Sequence, residues 1–172
     1  MKKLLTVLLF APSLALATSD ATTNMTLVGF VPEILEAKFV GNPPTLDMSP
    51  GTSTNNLLVG ELSLTYNVPI THIKVKASTP SGMLENSQGK SGLQSFGMSL
   101  GGDGDKCHAL PDAKTMSSTD LAGEGVSFDT QGLGDKAGYF DNCSVRISWK
   151  ALEENKDPGR YTMDVSFTIV AQ

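Results

Sequence analysis

Tyr161-Thr162-Met163-Asp164-Val165-Ser166-Phe167-Thr168-Ile169 decides the fold. Tyr161, Met163, Val165, Phe167 and Ile169 fall on one side of an extended chain, and Thr162, Asp164, Ser166 and Thr168 fall on the other. A period of two gives a strand one dry face and one wet face. The same alternation recurs upstream. Leu62, Leu64 and Tyr66 share a face; Ile73, Val75 and Ala77 alternate with His72, Lys74 and Lys76; Val145, Ile147 and Trp149 alternate with Arg146 and Ser148. Weaker strands are expected at Ile34–Val40, Leu93–Leu100 and Gly125–Phe128. The breaks Gly41-Asn42-Pro43-Pro44, Thr79-Pro80-Ser81-Gly82, Gly101-Gly102-Asp103-Gly104 and Asp157-Pro158-Gly159 carry turn residues. Only Ala109–Ser117 and Ala151–Asn155 have room for a turn or two of helix. These patterns predict one all-β domain, an antiparallel β-sandwich whose strands bury one face each.

Composition narrows the function. The chain has 172 residues, 40% hydrophobic and 18% charged, enough apolar residue for a core and too little charge for a disordered tail. A formal charge of −5 with no basic stripe argues against nucleic acid as a partner. Aromatic residues are 6% of the chain, with one Trp, which leaves little for stacking platforms.

Lys2-Lys3, the apolar run Leu4–Leu16 and Ala15-Leu16-Ala17 have the layout of a signal peptide, residues 1–17, cleaved on export. The run is too short to span about 30 Å of hydrocarbon, so no membrane insertion of the mature chain is expected. In an exported chain the two cysteines, Cys107 and Cys143, are expected to pair as a disulfide. The metal alternative fails for want of partners, since only His108 lies close by.

Other apparent motifs fail on context. Gly97-Met98-Ser99-Leu100-Gly101 matches a nucleophile elbow, but no helix follows and the βα alternation of a hydrolase is missing. Asp103-Gly104-Asp105 hints at calcium, yet Cys107 and Lys114 stand where an EF-hand loop needs oxygen ligands. Gly132, Gly134 and Gly138 do not make a phosphate-cradling G-x-G-x-x-G. Asn24-Met25-Thr26 and Asn142-Cys143-Ser144 fit the glycosylation sequon, as chance matches behind a bacterial-looking signal. No enzyme activity and no cofactor is expected.

Near the mature N-terminus, Met25, Leu27, Gly29 and Val31 fall on one face of an extended strand. A glycine inside an apolar row marks close approach of another backbone or side chain. On periodicity alone this is either the first strand of the sandwich or a segment that reaches another molecule. The run Asn24-Met25-Thr26-Leu27-Val28-Gly29-Phe30-Val31 resembles the N-terminal donor strand of chaperone–usher fimbrial subunits (pilins). Pro158-Gly159-Arg160-Tyr161 through Ile169 is similar to their final strand, and Val31-Pro32-Glu33-Ile34-Leu35 looks like the colonisation-factor pilins, a divergent branch. The resemblance implies an immunoglobulin-like β-sandwich, residues 32–172, lacking its last strand, with residues 18–31 as an N-terminal extension. It implies Met25, Leu27, Gly29 and Val31 as donor-strand residues that fill a groove in a neighbouring copy or related subunit. It also implies a periplasmic chaperone, an outer-membrane usher and a place in a cell-surface fimbrium that supports adhesion. The alternative from the residues themselves is a self-contained exported sandwich that binds carbohydrate or calcium through its Gly/Asp-rich loops.

Overall fold

Alternating apolar residues become strands because each strand can bury one face only by sharing it with a second sheet. A computed structural model describes residues 29–131, 139–154 and 157–171, with the side chains of Asp105 and Tyr139 outside the description. The signal-peptide expectation, Met25, Leu27, the sequon at Asn24 and the glycines 132, 134 and 138 lie outside the described residues. The chain divides into two units between Val31 and Pro32.

Within Pro32–Gln172 the strands are β1 (Leu35–Val40), β2 (Ser53–Tyr66), β3 (Ile70–Ala77), β4 (Leu93–Leu100), β5 (Lys114–Ser117), β6 (Val126–Asp129), β7 (Tyr139–Ala151) and β8 (Val165–Ala171). A short helix, α1 (Ser118–Leu121), follows β5. One sheet has the order β1-β2-β7-β4-β5 and the other β6-β3-β8, and every pair is antiparallel. This is an all-β fold of two antiparallel sheets packed as a sandwich. The core lies between them: Leu62, Leu64 and Tyr66 of β2, Ile73 and Val75 of β3, and Val145, Ile147 and Trp149 of β7 are all buried. His72, Lys74 and Lys76 point outward, as their alternation requires. Among the described residues no helix is long and apolar enough to cross a membrane.

Cys107 and Cys143 form a disulfide, both cysteines fully buried. The closed loop is long, so cross-linking it restricts the unfolded chain by about 4 kcal/mol on the entropy model.

Three local expectations need correction. Lys114–Ser117 is strand β5, paired Met98↔Met116 and Gly97↔Ser117 with β4; the helix begins one residue later. Ser117 caps it: its hydroxyl accepts the Asp120 N–H, and the Asp120 carboxylate accepts the Ser117 N–H at 2.7 Å. Ala151 closes β7 instead of opening a helix, because its N–H donates to Thr52 O and the Leu152 N–H to Gly92 O. The last strand starts at Val165, not Tyr161. Thr162 exchanges backbone bonds with Glu85, and the Tyr161 hydroxyl donates to Asp157 O at 2.7 Å, so 161–164 belongs to a loop.

Asp164 and Ser166 are exposed, while Val165, Phe167 and Ile169 are half-buried on the core side. Val165→Ala is expected to cost about 1 kcal/mol of unfolding free energy, and Asp164→Ala less than about 0.5 kcal/mol. Equilibrium urea unfolding measures both. The reverse order of the two effects would mean that the strand's faces are exchanged.

Candidate functional site

β1 and β8 are each the last strand of their sheet on one side of the sandwich. The pairs Leu35↔Tyr66, Ala37↔Leu64 and Phe39↔Leu62 put Leu35, Ala37 and Phe39 on the inner face, because partners across an antiparallel ladder share a face. Val165↔Ala77, Phe167↔Val75 and Ile169↔Ile73 do the same for β8. Their partners on β2 and β3 are almost wholly buried. The edge rows are not: Leu35 is 40% exposed, Ala37 is exposed, and Phe39, Val165, Phe167 and Ile169 are half-buried. Inner-facing apolar side chains left open in this way define a groove between two strand edges that have no further strand beside them among the described residues.

The groove has a narrow and a wide part. The narrow part, about 360 Å³, is apolar and runs past Phe39, Val59, Val145, Val165 and Phe167. It continues, through shared walls at Pro43, Pro44, Leu46 and Met163, into a wider cleft of about 840 Å³ that also touches Asp157, Arg160 and Tyr161. The rings of Phe39 and Phe167 lie parallel, 6.5 Å apart, and bridge the two edges. Gly60 makes room for Phe39, since a Cβ there would sit 2.5 Å from the ring. Gly60 falls where β2 slips register against β7, between Leu58 and Gly60; such a bulge re-aims neighbouring side chains. Pro43 and Pro44, which lack N–H groups, end the stretch on which β1 can pair.

At the other end of β1, the last ladder pair is Leu35↔Tyr66. The Tyr66 hydroxyl donates to Asp141 Oδ2 at 2.8 Å. Asp141 is fully buried and also accepts the N–H groups of His108 and Ala109, at 3.0 and 2.8 Å, and lies 2.8 Å from His108 Nδ1. The carboxylate thus ties the segment beside the disulfide to β7.

The expected site residues fall as follows. Cys107 and Cys143 are joined. Among the described residues, a Cβ added at Gly29 would meet nothing within 4 Å, and Val31 is 78% exposed. Gly97–Leu100 lies inside β4, and Gly101 leads into a 3-10 turn at Gly104–Lys106, not into an α-helix. Asp103 spends one carboxylate oxygen on the Ser144 N–H at 2.9 Å. Among the described residues no three His, Cys, Asp or Glu side chains cluster to hold a metal ion. Tyr66 and Trp149 are buried and so offer no aromatic platform. Phe39 and Asp141 were not singled out from the sequence. Asp141 carried a signal, because it shares the inward parity of Cys143, Val145 and Ile147. Set beside known proteins, the chain matches no family model and no curated protein.

Proposed function

We propose that this chain is a structural subunit of a surface fimbria that polymerises by strand addition, with the groove between β1 and β8 receiving the segment Met25–Val31 of a neighbouring copy or related subunit. The observation that carries this reading is the pair of inner-facing apolar rows left open on two edges that, among the described residues, have no neighbouring strand. An open apolar groove flanked by unpaired strand edges is an aggregation hazard unless something covers it. An added strand satisfies the edge backbone and fills the groove with alternate side chains. The lengths agree: β1 has six residues, β8 has seven, and Met25–Val31 has seven. The contact is head-to-tail, so it propagates into a fibre.

On this reading the subunit is exported, is not an enzyme, needs no cofactor, and travels with a periplasmic chaperone that covers the groove until an usher releases it. A structural disulfide suits an oxidising compartment. The test is co-expression with a chaperone and usher of a pilus system, comparing the intact chain with one deleted for 18–31. Electron microscopy is expected to show fibres from the intact chain only. An intact chain that stays a stable monomer, and that unfolds on deletion of the segment, would overturn the proposal in favour of a strand acting within its own domain.

A further inference from the structure

We infer that Asn67 is a positioning residue that clamps residues 32–34, the first of the sandwich unit; its consequence for a fibre rests on the donor-strand reading, the clamp itself does not. Asn67 follows the last residue of β2, at the corner Asn67-Val68-Pro69 where the chain crosses from one sheet to the other. Its Oδ1 accepts the Ile34 N–H at 2.6 Å, its Nδ2 donates to Pro32 O at 2.8 Å, and its own N–H donates to Ile34 O at 3.0 Å. The β1–β2 ladder ends at Leu35↔Tyr66, so the carboxamide carries that ladder past its end with a side chain in place of a strand. Only an amide of this length offers an acceptor and a donor to two carbonyl–amide groups two residues apart. The Pro32 ring fixes its own φ and biases Val31 toward extended backbone.

Burial does not account for this ordering. Pro32 and Glu33 are exposed and Ile34 is 39% exposed. Three hydrogen bonds hold backbone that contributes little to the core, at the boundary between Val31 and Pro32 where the chain divides. What such bonds accomplish is a fixed course for residues 32–34, the first of the sandwich unit. In a fibre built by strand addition, this is the backbone that joins the donated segment to its own sandwich, so loosening it widens the range of angles between one subunit and the next.

The test compares the unaltered mature chain with Asn67→Ala and Asn67→Asp, each labelled with nitrogen-15. In Asn67→Ala, amide exchange at Ile34 is expected to rise about tenfold. Order parameters at Glu33 and Ile34 are expected to fall below about 0.6, while amides of β2 and β7 and the melting temperature stay unchanged. In Asn67→Asp the carboxylate still accepts, so Ile34 keeps its protection while the Pro32 carbonyl loses its donor and Glu33 loosens. Unchanged exchange at Ile34 in Asn67→Ala would overturn the clamp. So would a uniform rise across β1 and β2 with a lower melting temperature, which would make Asn67 an ordinary structural residue. In fibres, electron micrographs of Asn67→Ala are expected to show a broader distribution of angles between neighbouring subunits, and an unchanged distribution would overturn the positioning role. Absence of fibres from the unaltered chain would remove the donor-strand reading, and the exchange data would then decide the clamp alone.

Discussion

Asp141→Ala is expected to lower the unfolding free energy by about 3–5 kcal/mol. The carboxylate is fully buried and serves the Tyr66 hydroxyl and the N–H groups of His108 and Ala109. Truncation removes one acceptor shared by several buried or half-buried donors, and each donor left dry costs about 1–3 kcal/mol. It also frees the segment next to Cys107 from β7 while the disulfide still tethers it. Asp141→Asn keeps one oxygen and turns an NH₂ toward a donor, so it is expected to cost about half as much. Urea unfolding with the disulfide intact measures both. A midpoint within error of the unaltered chain for Asp141→Ala would mean that water or a rearranged loop replaces the carboxylate.

Gly29→Leu is expected to weaken assembly about 10- to 100-fold and leave the chain's own stability unchanged. Nothing among the described residues asks for glycine at this place. A Cβ would meet no heavy atom within 4 Å, and the backbone is not in the left-handed region. On the proposed function, the glycine inside the row Met25, Leu27, Gly29 and Val31 marks close approach by a partner. The approach is to a shallow point of the neighbour's groove. Forcing a leucine into a fitted contact costs about 1–3 kcal/mol, a loss of about 10- to 100-fold in assembly. Thermal unfolding of the monomer, run beside fibre yield, separates this outcome from a plain loss of folding.

Much of the sandwich was legible because period-two alternation reports burial directly. Leu62 to Tyr66, Ile73 to Ala77 and Val145 to Trp149 lie on the faces that their spacing demands. The alternation from Tyr161 was overextended, because periodicity reads a side chain's apolarity and not the backbone's partner. Thr162 pairs with Glu85, and Asp164 N–H donates to Ser78 Oγ at 2.9 Å, before the ladder to β3 begins at Val165. Lys114–Ser117 was misread for a related reason: four residues are too few for a period, and Met116 is held by Met98 across the ladder. The groove was legible in one half only. Phe167 stood out in the C-terminal row, but Phe39 became visible only when β1 proved to be a sheet edge with its inner face uncovered. Asn67 gave no signal, since an asparagine between a strand and Val68-Pro69 reads as turn chemistry.

The most direct measurement of the central claim, that the N-terminal segment of one copy fills the groove of another, mixes two variants that each lack one half of the contact. Gly29→Leu keeps the groove and spoils the donor; Phe167→Glu keeps the donor and places a charge beside Phe39 in the groove. Light scattering of each variant alone is expected to give the mass of one chain, and an equimolar mixture is expected to give the mass of two, a pair that cannot grow further. A mixture that remains at the mass of one chain, from variants shown to be folded, would contradict strand addition between copies.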